Sequence, residues 1–434
     1  MNEPADDRFP GDRPPTSPAH GDAPTALIRM ADAGDVYVSW RWVDDIAARG
    51  VATLPRDEVR EALRKLTEAV PDPAHPGDLH RIMTSGALID PHAEHALAQD
   101  LSRTLLPYGL AVQLYEMWQR GIRPHLRIQP SPRLAQVPWE IIAPDPRVRL
   151  LDIADVSLLA PVSVVRAQGR IVHRWHKTRD LPVVAVLDPR VPGFRADSEL
   201  GSVLGRPNAD TAVTQHFASY GDRLVPVVRD PVDLFRRADT DRTWLSTALR
   251  AGASRLVYVG HVTAPAPETG ESEHAQLHLS CTAETRGFAA AQRTHRPLSA
   301  KDLLLGTHTI DASPVAGREL WPMPSRVALI ACESGGDLRF TEALGLTTAA
   351  LAAGAELVTA TRWPLPTDHA FHTLTATTTH PLQAAVCAVD SAHETATPIP
   401  TLLAWQRARL ADWQADPIPA NSPLLWAAFA TVSD

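Results

Sequence analysis

Cysteine is scarce in this chain. Its three residues, Cys281, Cys332 and Cys387, cannot pair evenly, and none stands in a CxxC spacing, which argues against a disulfide framework and against a cysteine zinc site. Free thiols in a reducing compartment, the cytoplasm, are the simplest expectation. No basic run is present, and the formal charge of -8 is spread along the chain, so the electrostatic footprint of a direct nucleic-acid ligand is missing. No stretch reaches the roughly 20 apolar residues that a spanning helix needs. The acidic start Met1-Asn-Glu-Pro-Ala-Asp-Asp7 has neither the cationic opening nor the apolar core of a signal peptide, so no membrane association is expected. A GxxxxGK[ST] phosphate loop and a GxGxxG after a strand are both lacking, which leaves nucleotide binding without support and no cofactor expected. There is no repeat at solenoid period.

What the chain has is apolar material: 44% of 434 residues can bury at least one large core and leave room for a smaller unit. Residues 1 to 25 hold Pro10, Pro14, Pro15, Pro18 and Pro24 among Gly, Asp and Ser and read as a disordered arm. From 26 to 93 a small helical unit is expected, because Val59, Leu63, Leu66 and Val70 share one helical face that Pro71 ends. A second stripe, Leu97, Leu101 and Leu105, precedes Pro107, and Leu110, Leu114, Met117 and Trp118 continue it.

Beyond residue 125 apolar strand-like runs alternate with helical stretches, the pattern of an α/β domain around a largely parallel sheet. The runs are 126–130, 181–187, 256–259, 327–331 and 357–361. Between the last two, Thr341 is a plausible N-cap, Leu344 and Leu351 would face inward and Gly354 would end the helix. Ser299-Ala-Lys-Asp302 fits a capping box. The span from Val262 to Arg296 reads as a lid or rim.

Two strand patterns end on reactive residues, Arg255-Leu-Val-Tyr-Val-Gly-His261 and Arg326-Val-Ala-Leu-Ile-Ala-Cys332. If they neighbour each other in a parallel sheet, an imidazole and a thiol stand together at the end where such sheets carry chemistry. Taken singly neither is distinctive, since the chain has 18 histidines and cysteine is among the most buried residue types. Together they form a candidate dyad in which His261 raises the thiolate fraction of Cys332 or protonates a leaving amine. Glu333-Ser-Gly-Gly-Asp337 follows the thiol, and the glycines allow amides to turn toward a developing oxyanion; Val262 and Cys332 are the candidate donors. His173/His176 and His369/His372 have one-turn spacing but lack further ligands, so no metal is expected. Cys281 and Cys387, among apolar neighbours, read as core or rim thiols.

The runs Val327-Ala-Leu-Ile-Ala-Cys332-Glu-Ser-Gly335, Val257-Tyr-Val-Gly-His261 and Val358-Thr-Ala-Thr-Arg-Trp-Pro364 resemble the CHAT family of caspase-like, separase-related proteins. Leu126-Arg-Ile, Leu134-Ala-Gln-Val-Pro-Trp-Glu140, Pro297-Leu-Ser-Ala-Lys-Asp-Leu303 and Trp426-Ala-Ala-Phe429 extend the likeness from about residue 94 to the end. The resemblance implies a caspase-like α/β/α sandwich over 94–434. It also implies cysteine endopeptidase activity on specific protein partners, with His261 and Cys332 matching the family dyad. The alternative is a catalytically silent CHAT-like interaction module. Where the family commonly has Gly after the histidine this chain has Val262, so an oxyanion site that must rearrange, low basal activity and an activating sensor protein are expected. After Trp363 the family's acidic residue is displaced by one place, to Asp368; this carboxylate, with Glu333, is the candidate substrate contact, and for Asp368 the competing reading is a helix N-cap.

Overall fold

In the computed structural model, residues 23–72, 78–263, 272–306, 315–331 and 345–434 are described. An 11-stranded sheet runs through them. Its strands are β1 (Thr25–Ala33), β2 (Asp35–Trp42), β3 (Arg49–Leu54), β4 (His125–Gln129), β5 (Asp155–Leu159), β6 (Val183–Leu187), β7 (Leu224–Val225), β8 (Arg255–Gly260), β12 (Arg326–Ala331), β13 (Leu357–Thr361) and β14 (Phe429–Ser433). A second, three-stranded sheet holds β9 (Val262–Thr263), β10 (Gln276–Leu277) and β11 (Leu298–Ser299).

The large sheet is ordered β3-β2-β1-β4-β5-β14-β13-β12-β8-β6-β7. Only the pairs β1–β2, β2–β3 and β13–β14 are antiparallel, so the sheet is mostly parallel, as the alternation of runs implied. All six residues of β8 and all five of β6 and of β13 are buried, the reading of strands covered on both faces by helices. The expected α/β sandwich is therefore the observed one.

The N-terminal part departs from expectation. Residues 25–54 are not helical but form β1, β2 and β3, and β1 pairs in parallel with β4, which makes 26–93 an extension of the main sheet rather than a separate unit. Asp35-Val-Tyr-Val-Ser-Trp-Arg-Trp42 alternates with period two and is rich in β-branched and aromatic residues; its buried set Val36, Val38, Trp40 and Trp42 lies on one face of the sheet. Trp40 and Trp42 both donate through Nε1 to Oε1 of Gln113 on the helix Tyr108–Gln119. The helical stripe does appear where the periodicity placed it, in Arg56–Ala69, which buries Val59, Ala62 and Leu66. Residues 1–22 of the expected arm, Thr341 and Leu344 lie outside the described residues, and Thr25 already belongs to β1.

The helix Leu346–Ala352 buries Leu351 and ends before Gly354, whose φ is +118°. Ser299 and Asp302 form the capping box, each side chain accepting the other's backbone N–H. Of the span after Val262 expected as a lid or rim, residues 264–271 lie outside the described residues; in the rest, Leu277, His278, Leu279, Cys281, Ala289 and His295 are buried around the small sheet. Polar side chains there bond one another, His278 meeting both His295 and Thr263.

At the start of β8, Arg255 is fully buried and donates to Asp390 (2.8 Å) and Glu394 of the helix Pro381–Glu394. Tyr220 and His216 also bond Asp390, at 2.6 and 2.7 Å. Burial opposes ionisation of Asp390, yet the bonds from His216 and Arg255 hold its carboxyl far below the usual range. This anchor fixes the lower end of the strand that carries His261 at its upper end.

Candidate active site

His261 follows Gly260, the last residue of β8. A Cβ on Gly260 would lie 2.6 Å from the Tyr258 hydroxyl, so glycine is what lets the tyrosine fold back over the strand end. The Tyr258 hydroxyl faces the carbonyls of His261 (2.7 Å) and His278 (2.9 Å), and the His278 N–H donates to the His261 carbonyl at 3.1 Å. The histidine backbone is thus fixed from two sides.

Its ring is fixed as well. His261 Nε2 lies 3.1 Å from the Gly201 carbonyl oxygen. A carbonyl can only accept, so Nε2 carries the proton and a neutral ring leaves Nδ1 as its basic nitrogen. Burial pulls the imidazole below its ordinary pKa, while the Gly201 carbonyl and Asp188 act against that. The neutral, base-competent form therefore prevails at neutral pH. Gly201 tucks so closely under its own loop that a Cβ would sit 2.3 Å from the Ala196 carbonyl oxygen.

Val262 opens β9 and is paired with Leu277 of β10. Because His278 N–H bonds the His261 carbonyl, the alternation of an antiparallel ladder makes Val262–Leu277 the non-hydrogen-bonded pair, and the Val262 N–H points away from β10. Extended backbone here suits a β-branched residue, and Val262 has no positive φ. Behind it runs a directional chain. The Cys281 carbonyl accepts from Nδ1 of His295 (2.8 Å), whose Nε2 lies 3.1 Å from Nδ1 of His278, and Nε2 of His278 meets the Thr263 hydroxyl at 3.0 Å. Burial lowers the pKa of both imidazoles, keeping them neutral.

The condition set on the two reactive strands is met: β8 and β12 are neighbours and parallel, with Ala331 opposite Gly260. His261 and Cys332 are the residues that follow this last pair in the sequence. Cys332 and Glu333 lie outside the described residues. The other two thiols are unreactive by environment: burial raises Cys281, and it pushes Cys387 up to about 12.

Asp368 is 5% exposed and does not stand free at a rim. Its carboxylate accepts the backbone N–H groups of Leu382 (2.8 Å) and Gln383 (3.4 Å), the first turn of Pro381–Glu394. Nor does it cap its own helix; Thr367 does, accepting from the Ala370 N–H at 3.2 Å. A buried carboxylate must fill its acceptor positions, and the nearest unmet donors belong to the adjacent helix. Among the described residues no three His, Cys, Asp or Glu side chains converge as a metal site, and no helix is long and apolar enough to cross a membrane.

Gly201 and Tyr258 also contact the candidate histidine, and the sequence did not point to either. Gly201 acts through a backbone atom, which leaves no side-chain signal. Tyr258 lies inside a strand pattern, where its hydroxyl carries no signal of its own.

The CHAT domain family model matches residues 95–434. No curated protein matches the chain. Among solved structures, the fold is similar to a chain in two crystal structures of the Saccharomyces cerevisiae separase–securin complex, both with a TM-score of 0.45. Identity is 10% and 11%, over 95% and 94% of this chain, and in both cases the match covers 30% of that chain.

Proposed function

From the premise that the chain belongs to the CHAT family over residues 95–434, we propose that it is a cysteine endopeptidase acting on protein substrates through a His261–Cys332 dyad. The observation that carries this reading is the parallel register of β8 and β12, with the residues before the histidine and the thiol paired to each other. Nδ1 of His261 accepts the Cys332 thiol proton as the sulfur attacks the scissile carbonyl carbon. The carbonyl oxygen becomes an oxyanion, and the Val262 and Cys332 amides donate to it. The direction of the Val262 N–H, away from β10, favours this assignment. The imidazolium then protonates the leaving amine, the C–N bond breaks, and water, deprotonated by His261, hydrolyses the thioester. Where the family commonly has Gly this chain has Val262, and a β-branched residue narrows the backbone angles open to the oxyanion turn, so basal activity is low and a protein partner that binds the formed state raises it. Free thiols that burial leaves protonated fit work in the cytoplasm.

A peptidyl acyloxymethyl ketone, which alkylates activated thiolates, tests the reading without a known substrate. Mass spectrometry is expected to find the label on the peptide holding Cys332, and His261→Ala is expected to abolish it. An unlabelled Cys332 in the folded 434-residue chain, or equal labelling in His261→Ala, refutes the dyad and leaves a silent interaction module.

A further inference from the structure

The loop that presents the Gly201 carbonyl to His261 is built around one buried carboxylate. Asp188, 1% exposed, follows the last residue of β6, the strand next to β8. Its Oδ2 accepts the Ser202 hydroxyl (2.5 Å) and the Leu204 N–H (3.3 Å), and its Oδ1 accepts the Val203 N–H (3.1 Å). Three consecutive residues after Gly201 therefore hang from one side chain. Its own N–H bonds the Val259 carbonyl of β8 at 2.6 Å, and its carbonyl accepts the Arg236 N–H at 3.1 Å.

Arg236 closes the arrangement. Its guanidinium nitrogen lies 3.3 Å from Asp188 Oδ1 and donates at 2.8 Å to the Gly201 carbonyl, the same oxygen that holds His261. Asp188 and Arg236 both have positive φ, 49° and 54°, although neither is glycine. Such backbone persists where surrounding contacts over-determine it, and it gathers at functional sites.

We propose that Asp188 and Arg236 are positioning residues for the histidine, a charge pair that fixes the Gly201 carbonyl against Nε2 and sets the charge balance of the imidazole; the proposal rests on the dyad reading above. Gly201 supplies one oxygen with two acceptor positions, filled by Arg236 and by His261. The carboxylate favours the imidazolium that forms when Nδ1 takes the thiol proton, and the guanidinium opposes it. With both present the ring is held in one tautomer, and the two charges act on it with opposite sign. Among the described residues, the other titratable groups that face the ring are Glu199 on the same loop and His278 on β10's continuation, the latter neutral.

Two charge-removing variants of the 434-residue chain distinguish this role from a purely structural one, because they act with opposite sign. Two readouts are taken across pH: the His261 imidazole titration by NMR, and the rate of Cys332 alkylation by iodoacetamide, followed by mass spectrometry. Asp188→Asn removes the carboxylate charge and is expected to move the imidazole pKa down by about one unit, with alkylation at neutral pH slowed about tenfold. Arg236→Gln, at a partly exposed position, is expected to move the imidazole pKa up and the alkylation limb to lower pH. Shifts of the same sign in both variants, or no shift in Arg236→Gln at an unchanged melting temperature, overturn the inference. If Asp188→Asn does not fold, Arg236→Gln decides alone. An alkylation profile unchanged by His261→Ala defeats the dyad itself; the NMR titration then still decides the Asp188–Arg236 inference, since it reads His261 directly.

Discussion

Gly260 shows how one missing side chain sets up the candidate site. The Tyr258 hydroxyl reaches the His261 carbonyl only because nothing projects from Gly260, and a Cβ there would meet the tyrosine ring carbon at 2.8 Å as well as the oxygen at 2.6 Å. Gly260→Ala is expected to displace the phenol, cost about 1–3 kcal/mol in unfolding free energy, and reduce probe labelling of Cys332 about tenfold or more. Chemical denaturation and labelling kinetics measure the two effects; full labelling in the variant contradicts the fixed-backbone account. By contrast Cys281→Ser and Cys387→Ser are expected to keep labelling per folded molecule, because burial holds both thiols protonated. Loss of labelling in Cys281→Ser at an unchanged melting temperature means that the wrong thiol carries the chemistry.

Among elements, the helix Pro381–Glu394 is tied at both ends. Asp368 accepts its first N–H groups from the neighbouring helix, and Asp390 and Glu394 in its last turns take the buried Arg255. Asp368→Ala is expected to cost about 1 kcal/mol, the usual loss on removing a cap, and to leave Cys332 labelling within about twofold. Labelling that collapses while the melting temperature holds instead makes this carboxylate part of the substrate site. Asp390→Asn leaves a fully buried guanidinium without its main counter-charge and is expected to cost about 3–5 kcal/mol. A loss below about 1 kcal/mol in a denaturation series means that Glu394 alone suffices.

At the scale of the whole molecule, several buried imidazoles make stability depend on pH. Burial pushes His125 down to about 4 and His393 down to about 3, and it also lowers His278 and His295 from the ordinary 6.5. The folded values lie below the unfolded one, so between them the unfolded chain binds more protons than the folded one. Stability from these groups is complete above about pH 6.5 and is lost as pH falls toward the folded values. The melting temperature is therefore expected to decline steadily from pH 7 to pH 4.5. A flat profile over that range refutes the neutral buried histidines, and His393→Gln in a folded variant is expected to flatten it in part.

The sequence by itself determined what is local or periodic. The buried runs that became β6, β8, β12 and β13, the Ser299–Asp302 capping box, the stripe of the helix Arg56–Ala69 and the ends of two reactive strands were all legible, since period, propensity and capping act within a few residues. β2 was legible too, in the alternation from Val36 to Trp42, but the strong stripe of the following helix drew the whole span into a helical reading. Only the tertiary structure decided the rest. Which strands are neighbours depends on contacts across scores of residues, as between β8 and β12. The Asp368 carboxylate found donors fourteen residues away, on a helix that no local rule could bring beside it. The Gly201 carbonyl reached His261 across sixty residues through a backbone atom, and a backbone atom is the same in every residue type, so no reading of side chains could have chosen it.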